Sequence, residues 1–102
     1  MYYPVSAHLI EFLILSVLQK EDSYGYEISR TVKLVADIKE STLYPILKKL
    51  EKNGFMTTYT KEYQGRKRKY YSLTDAGVEE LKFLNSEWIS YRETIDCIEE
   101  GR

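Results

Sequence analysis

The chain reads STLYPILKKLEKNG over residues 41–54 and GRKRKYYSLTDAG over residues 65–77. In the first segment, a helical period of 3.6 residues separates two faces. The apolar face holds Leu43, Ile46, Leu47 and Leu50. The opposite face holds Ser41, Pro45, Lys48 and Lys52, flanked by Thr42, Tyr44 and Lys49. The pattern predicts a helix that packs on a core through one side and presents hydroxyls and ammonium groups on the other, with Asn53-Gly54 as its C-terminal stop.

The second segment belongs to a predicted β-hairpin with a cationic tip. Phe55–Tyr63 and Lys69–Leu73 are rich in Tyr, Thr and Phe, and Gln64-Gly65 between them suits a turn. The tip carries four consecutive cations, Arg66, Lys67, Arg68 and Lys69. An amphipathic helix followed by such a hairpin predicts a winged helix-turn-helix, in which the helix enters the major groove of DNA and the hairpin forms the wing.

Three further helices complete the predicted fold. Residues Val5–Gln19 are apolar almost all round, which indicates a helix buried on most sides. A second helix is expected to end near Val32, and Pro45 is expected within about the first turn of the third, where its missing N–H costs little. The predicted N-caps are Asp22 or Ser23 for the second helix, Ser41 for the third, and Thr74 or Asp75 for the last.

These elements define the expected fold class. The protein is predicted to be mainly α with a small β-hairpin (α+β), a winged helix-turn-helix with an added C-terminal helix. Residues 1–73 are predicted to form the DNA-binding domain and residues 74–102 a dimerisation helix, together one structural unit. A chain of 102 residues suits a single domain that gains stability by oligomerising.

The last helix carries an apolar seam. Its apolar residues alternate at spacings of three and four, as in the a and d positions of a coiled coil. They are Leu81, Leu84, Trp88, Tyr91, Ile95 and Ile98. Because nothing later in the sequence offers a cover for this seam, a second copy of the chain is expected to cover it.

Charge is segregated along the chain. The formal net charge is -1, yet residues 33–70 hold ten basic residues against four acidic ones. This concentrated basic surface predicts double-stranded DNA as a partner. The single Cys97 excludes a disulfide framework, and no Cys/His spacing suits a metal. The sequence therefore predicts a cytoplasmic, non-enzymatic protein without metal, cofactor or membrane association.

The predicted DNA contacts come from the helix and the hairpin tip. Hydroxyls can bind phosphates or base edges, the proline ring can contact a thymine methyl, and the cations can neutralise phosphates. The predicted contact residues are Ser41, Thr42, Tyr44, Pro45, Lys48, Lys49, Arg66, Lys67, Arg68 and Lys69. The alternatives are a lysine-rich helix face that is merely solvated and a charged tip that keeps the hairpin soluble.

The combination of motifs resembles the PadR family of transcriptional regulators. Its parts are YGYEI at residues 24–28, TLYP at 42–45, LEKNG at 50–54 and GRKRKYY at 65–71. The resemblance covers nearly the whole chain and is to the short branch of the family, which has one C-terminal helix. It implies a homodimeric winged-helix repressor whose dimer is built by the last helix, often with the first. Glu40 departs from the small or apolar residue that many members carry before Ser41.

The resemblance also implies a flat aromatic effector at the dimer interface in some members. Trp88 could stack on such a ligand, or it could be dimer core. The predicted effector-binding residues are Trp88, Asn85, Arg92 and His8. Arg92 would favour an acidic or neutral ligand. Two other functions remain open, a winged-helix module that binds an acidic protein and an architectural protein without ligand control.

Overall fold

The computed structural model describes residues 4–101, so the predicted units are described except for residues 1–3 and 102. The elements in chain order are α1 (Ala7–Lys20), β1 (Ser23–Tyr24), α2 (Gly25–Val32), α3 (Glu40–Lys52), β2 (Met56–Tyr63), β3 (Arg66–Leu73) and α4 (Asp75–Glu99). The strands form one antiparallel sheet in the order β1-β3-β2. Four helices with a small sheet confirm the predicted α+β class and the winged-helix fold.

The core lies where the first three helices meet the sheet and the start of α4. Its most deeply buried side chains come from every helix and from β2. They include Ile14, Leu15, Ile28, Val32, Leu43, Leu47, Leu50, Met56, Leu81 and Leu84. The predicted apolar face of α3 is confirmed, since Leu43, Leu47 and Leu50 are fully buried. Burying them fixes which side of α3 faces solvent.

Two details of the α3 prediction are wrong. Lys39, not Ser41, is the N-cap, because the Lys39 carbonyl accepts hydrogen bonds from the N–H groups of Thr42 and Leu43 at 2.9 and 3.0 Å. Ser41 is the second residue inside the helix. Pro45 therefore lies in the second turn rather than the first, where its ring removes a hydrogen bond to the Ser41 carbonyl.

The end of α3 follows the prediction. Gly54 adopts the left-handed region with φ of 82°. The N–H of Gly54 donates to the Glu51 carbonyl and the N–H of Phe55 to the Leu50 carbonyl, both at 3.0 Å. This pair of bonds is a Schellman motif, which satisfies the last carbonyls of the helix and turns the chain into β2.

The sheet is larger than the predicted hairpin. β3 begins at Arg66 rather than Lys69, because Tyr63 pairs with Arg66 across a two-residue turn. Gln64 and Gly65 in that turn have φ of 50° and 77°, as a type I′ turn requires. The strand β1 was not predicted, because two residues are too few to show a period of two.

Strand β1 also changes the start of α2. Tyr24 is its N-cap and makes no side-chain capping bond, so the predicted cap at Asp22 or Ser23 is wrong. Ser23 lies in β1, opposite Tyr71, and its buried hydroxyl donates to the Glu27 carboxylate at 3.0 Å. The pairing with β3 therefore determines where α2 begins.

The start of α4 is joined to the end of α3. Thr74 caps α4, as predicted, and its hydroxyl accepts from the Gly77 N–H at 3.0 Å. The same hydroxyl donates to the Gly54 carbonyl at 2.6 Å, and the Thr74 N–H donates to the Phe55 carbonyl at 3.1 Å. Two hydrogen bonds thus hold the first turn of α4 against the α3–β2 connection, and the third caps that turn.

The protomer measures 57 × 32 × 21 Å along its principal axes. The second half of α4 projects from its body. Leu81 and Leu84 are buried in the protomer's own core, so they expose almost no surface for a second copy. Tyr91, Ile95 and Ile98 are 62%, 47% and 72% exposed. The open part of the seam therefore begins at Trp88, which is half-buried. Among residues 4–101 there is no helix with the length and apolar character needed to cross a bilayer.

Candidate DNA-binding surface

The outer face of α3 carries the predicted helix contacts. All six of these residues are exposed: Ser41, Thr42, Tyr44, Pro45, Lys48 and Lys49. They share the face opposite the buried leucines, so the structure brings them together on one surface. The first two turns supply the hydroxyls and the proline ring, and the later turns supply the ammonium groups.

The Tyr44 side chain lies against Gly25, the first residue of α2. An added Cβ at Gly25 would lie 3.0 Å from Cε1 of Tyr44 and 3.4 Å from its hydroxyl oxygen. The absence of a side chain at Gly25 therefore lets the Tyr44 ring lie against the first turn of α2. This close approach between α2 and α3 orients one of the predicted DNA contacts.

Two acidic side chains modify the charge of this face. Glu11 of α1 is buried, and its carboxylate lies 3.4 Å from Nζ of Lys49. Glu40 lies 3.3 Å from Nζ of Lys33. Lys49 is thus partly neutralised from within the protomer, and the charge of Glu40 is compensated by a neighbouring cation. Within residues 4–101, Lys48 makes no ion pair, so its charge is uncompensated.

The wing divides its four cations between two faces. Side chains alternate along a strand, so Arg66 and Arg68 point to one face of the sheet and Lys67 and Lys69 to the other. Lys69 lies 3.7 Å from the Glu51 carboxylate, whereas the other three make no ion pair in the described chain. The two arginines therefore form the uncompensated positive edge of the outer wing face.

That outer face is also aromatic. Tyr59 and Tyr70 stack with ring centroids 5.6 Å apart, and Tyr24 meets Tyr70 edge-on at 5.5 Å. The Arg68 guanidinium lies over the rings of Tyr24 and Tyr63 at 4.4 and 4.5 Å. This cluster was not predicted from the sequence. The alternation of Tyr59, Lys61 and Tyr63 in β2 opposite the cations of β3 was the available signal.

One hydrogen bond anchors the cluster to the loop before β1. The Tyr59 hydroxyl donates to the Asp22 carboxylate at 2.7 Å. This bond to a negative group raises the pKa of the Tyr59 hydroxyl above its ordinary value. Tyr59 thus remains protonated and able to donate throughout the neutral pH range.

A groove of about 610 Å³ lies between α1 and α4. His8 and Trp88 line it, whereas the other two predicted effector residues, Asn85 and Arg92, are exposed outside its lining. The aromatic walls come from Phe12, Phe83, Trp88 and Tyr91. Glu87 is the acidic residue of the lining. The charge nearest the groove is therefore negative rather than the positive charge expected from Arg92.

Comparison with protein-family models identifies the group to which these features belong. The model of the transcriptional regulator PadR-like family matches residues 14–83, from the middle of α1 to the first half of α4. The chain belongs to the PadR family. PadR proteins are DNA-binding transcriptional regulators and not enzymes. The exposed end of α4 lies beyond the matched residues.

Two curated proteins are similar in sequence to this PadR-family chain. It is 37% identical over 102 residues to an uncharacterised protein of Lysinibacillus sphaericus, covering 95% of this chain and 93% of the relative. It is 39% identical over 79 residues to the negative transcriptional regulator PadR of Bacillus subtilis, covering 72% of this chain and 43% of that protein. The chain thus matches less than half of the Bacillus subtilis regulator.

Solved structures match the whole PadR-family fold. A crystal structure from Streptococcus mutans has 67% identity and a TM-score of 0.97, covering 100% of this chain and 96% of the other. A PadR family transcription regulator from Clostridium difficile has 35% identity and a TM-score of 0.80, with 87% and 96% covered. A PadR-like regulator from Bacillus cereus has 30% identity and a TM-score of 0.83, with 92% and 94% covered. The Streptococcus mutans structure covers the whole of this chain, α4 included.

Proposed function

We propose that this PadR-family regulator is a homodimeric repressor that binds two DNA half-sites. The observation that carries the proposal is the exposed face of α3, which carries hydroxyls and Lys48, together with the cleft in which Tyr44 of that face meets Arg68 of the wing. The DNA-binding unit is residues 1–73, and the helix over residues 74–102 joins two copies. The name of the Bacillus subtilis relative, a negative regulator, supports repression.

The docking geometry follows from the exposed face of α3. The first two turns of α3, which carry Ser41, Thr42, Tyr44 and Pro45, would contact base edges in the major groove. The cations Lys48, Lys49, Arg66, Lys67, Arg68 and Lys69 would contact phosphates. In a symmetric dimer the two half-sites would lie one helical turn, about 34–36 Å, apart.

The dimer would form along the open part of the α4 seam. Tyr91, Ile95 and Ile98 expose apolar surface on one stripe of a helix that projects away from the core. Trp88 continues the stripe towards the α1–α4 groove. An isolated protomer would leave this stripe in water, which favours its burial against a second copy.

Removing both arginines of the outer wing face tests DNA binding. The Arg66→Ala/Arg68→Ala variant should bind all DNA sequences more weakly, because fewer phosphates are neutralised. For the wild-type dimer we expect a log–log salt slope of roughly -4 to -7, and for the variant a slope less steep by roughly 2 to 4 units. Fluorescence titration of duplex DNA at several salt concentrations measures both quantities.

A matched control removes two cations elsewhere. Lys20 at the end of α1 and Lys82 of α4 are exposed and do not belong to the DNA-binding surface. The Lys20→Ala/Lys82→Ala variant has the same net charge as the wing variant. Equal salt slopes for the two variants would contradict the assignment of the arginines to DNA.

We also propose that the α1–α4 groove binds a planar aromatic effector that releases the repressor from DNA. The volume and the four aromatic side chains of the groove support this proposal. With Glu87 in the lining, a neutral or cationic compound fits better than an acidic one. Control of DNA binding requires that the effector bind the two dimer states with different affinities.

Trp88 makes the effector proposal measurable, because it is the sole tryptophan of the chain. Neutral and cationic planar aromatic compounds should quench its fluorescence with saturation. The Phe83→Ser variant retains Trp88 but loses one wall of the groove, so its apparent Kd should rise roughly fivefold or more, since a stacked aromatic contact contributes about 1 kcal/mol. No saturable quenching by any compound of the panel would contradict the effector site.

A further inference from the structure

We propose that Tyr24 and Tyr63 are positioning residues that hold Arg68 ready for one backbone phosphate of DNA. The inference deepens the proposed function and rests on it, since it assigns a phosphate subsite within the same surface. The subsite is the cleft between the wing and the first turn of α2, and its ligand class is a phosphodiester.

The geometry of Arg68 differs from that of the other wing cations. Its guanidinium carbon lies 4.4 Å from the ring centroid of Tyr24 and 4.5 Å from that of Tyr63. Tyr24 belongs to β1 and Tyr63 to the far end of β2, so rings from two different strands hold the one group. Arg68 is half-buried, whereas Arg66, Lys67 and Lys69 are exposed.

Stacking leaves the hydrogen-bonding capacity of Arg68 unused. The donors of a guanidinium lie in its plane, so a contact between its face and an aromatic ring does not use them. Within residues 4–101, no carboxylate lies within ion-pair distance of Arg68. The in-plane N–H groups can therefore bind two oxygens of one phosphate.

The surroundings of Arg68 suit an anion. Arg68 and Lys69 line a cleft of about 380 Å³ together with Tyr26 and Tyr44, which are 61% and 45% exposed. Tyr44 belongs to the exposed face of α3, so the cleft is continuous with the surface proposed for the major groove. Lys69 is partly neutralised by Glu51, which makes Arg68 the principal positive charge of the cleft.

The two tyrosines also lower the entropy cost of binding. A free arginine side chain loses much rotamer freedom when it binds a phosphate. Arg68 has lost part of that freedom in the unbound protomer, because the rings of Tyr24 and Tyr63 restrict its orientation. A lysine at this position would keep the charge but not the planar fork, so it should not replace Arg68 in this role.

The matched variants Tyr63→Leu and Tyr63→Phe test the inference. Tyr63 is 47% exposed and lies beside the hairpin turn, so neither change disturbs the core. Tyr63→Leu should weaken duplex DNA binding about two- to fivefold for each protomer, because part of the cost of immobilising the Arg68 side chain then falls on DNA binding. The salt slope should not change, because every charge remains. Tyr63→Phe keeps the ring and should bind DNA like the wild type.

Arg68 itself supplies the second measurement. Arg68→Lys should weaken binding at least as much as Tyr63→Leu with little change in salt slope, whereas Arg68→Ala should also make the slope less steep by about one unit per protomer. All four variants should unfold cooperatively on heating, with only a modest fall in Tm where a cation–π contact is lost.

Three results would overturn the inference. The first is equal DNA affinity for Tyr63→Leu and Tyr63→Phe, with the wild type binding DNA; the proposed function would then survive. The second is an acidic peptide, rather than DNA, whose binding depends on the Tyr63 ring. The third is a wild type that shows no salt-dependent DNA binding, which would remove the proposed function as well.

Discussion

Replacing Gly77 with alanine is expected to lower the free energy of unfolding by about 3 kcal/mol. A Cβ at this position would overlap the Phe55 carbonyl oxygen and lie 2.7 Å from Cδ1 of Leu73. The first obstacle is backbone, so it cannot move aside as a side chain can. Gly77 also donates to Thr74, so a shift of the first turn of α4 would break the capping bond. Overpacking and the loss of a cap should therefore act together.

Thermal unfolding measures this effect at a fixed protein concentration. For a domain of this size, about 3 kcal/mol corresponds to a fall in Tm of roughly 10–20 °C. Gly25→Ala is the matched control, because Gly25 also opens a helix but its Cβ would meet only the far end of the Tyr44 side chain. A Tm that is as low for Gly25→Ala as for Gly77→Ala would contradict the explanation by backbone overlap.

Placing carboxylates on the seam of α4 should give a monomer with much weaker DNA binding. In the Ile95→Glu/Ile98→Glu variant, two exposed apolar side chains become charged, and a dimer would have to bury both pairs of charges. Loss of the linked second DNA-binding unit should lower affinity for a two-half-site duplex by roughly 10²–10⁴-fold. Sedimentation measures the oligomeric state, and anisotropy measures affinity for a duplex selected from random DNA by the wild type.

The neighbouring Cys97 provides the control. Cys97 is exposed and lies off the predicted seam, so Cys97→Glu adds a carboxylate to the same turn without charging the interface. This variant should remain dimeric and bind DNA normally. A dimeric Ile95→Glu/Ile98→Glu variant, or an unaltered DNA affinity of its monomer, would contradict the proposed assembly.

Local patterns predicted most of the fold. The spacing of the α3 leucines reflects burial on one side, and Thr74 and Gly54 have local conformational roles that a sequence reveals. The pattern could not separate the two parts of the α4 seam. Leu81 and Leu84 satisfy the same spacing as Ile95 and Ile98, but α1 covers only the first pair. Which partner buries an apolar residue is a tertiary property.

For the proposed sites as well, the sequence predicted what depends on one helix and not what depends on tertiary contacts. The exposed face of α3 was predictable because it depends on one helix. The contacts of Arg68 were not predictable, since Tyr24 and Tyr63 are far apart in the chain and both reach Arg68 only because β1 and β2 flank β3. The strand β1 is too short to have a sequence signal. The groove lining depends on the crossing of α1 and α4, so helix spacing alone suggested Asn85 and Arg92 and missed Phe12 and Phe83.

The bonds from Thr74 to Gly54 and Phe55 join the end of α3 to the start of α4, so the two helices should move together. α4 has 25 residues. Its length is therefore about 37 Å. In a dimer joined at the C-terminal part of α4, a change of about 5° in the tilt of α4 would move its N-terminal end, beside α3, by about 3 Å. A displacement of that size is comparable to the rise of one base pair. A small change in the tilt between the two α4 helices would therefore displace each α3 by about one base pair, so that the two α3 helices would no longer fit their major grooves together.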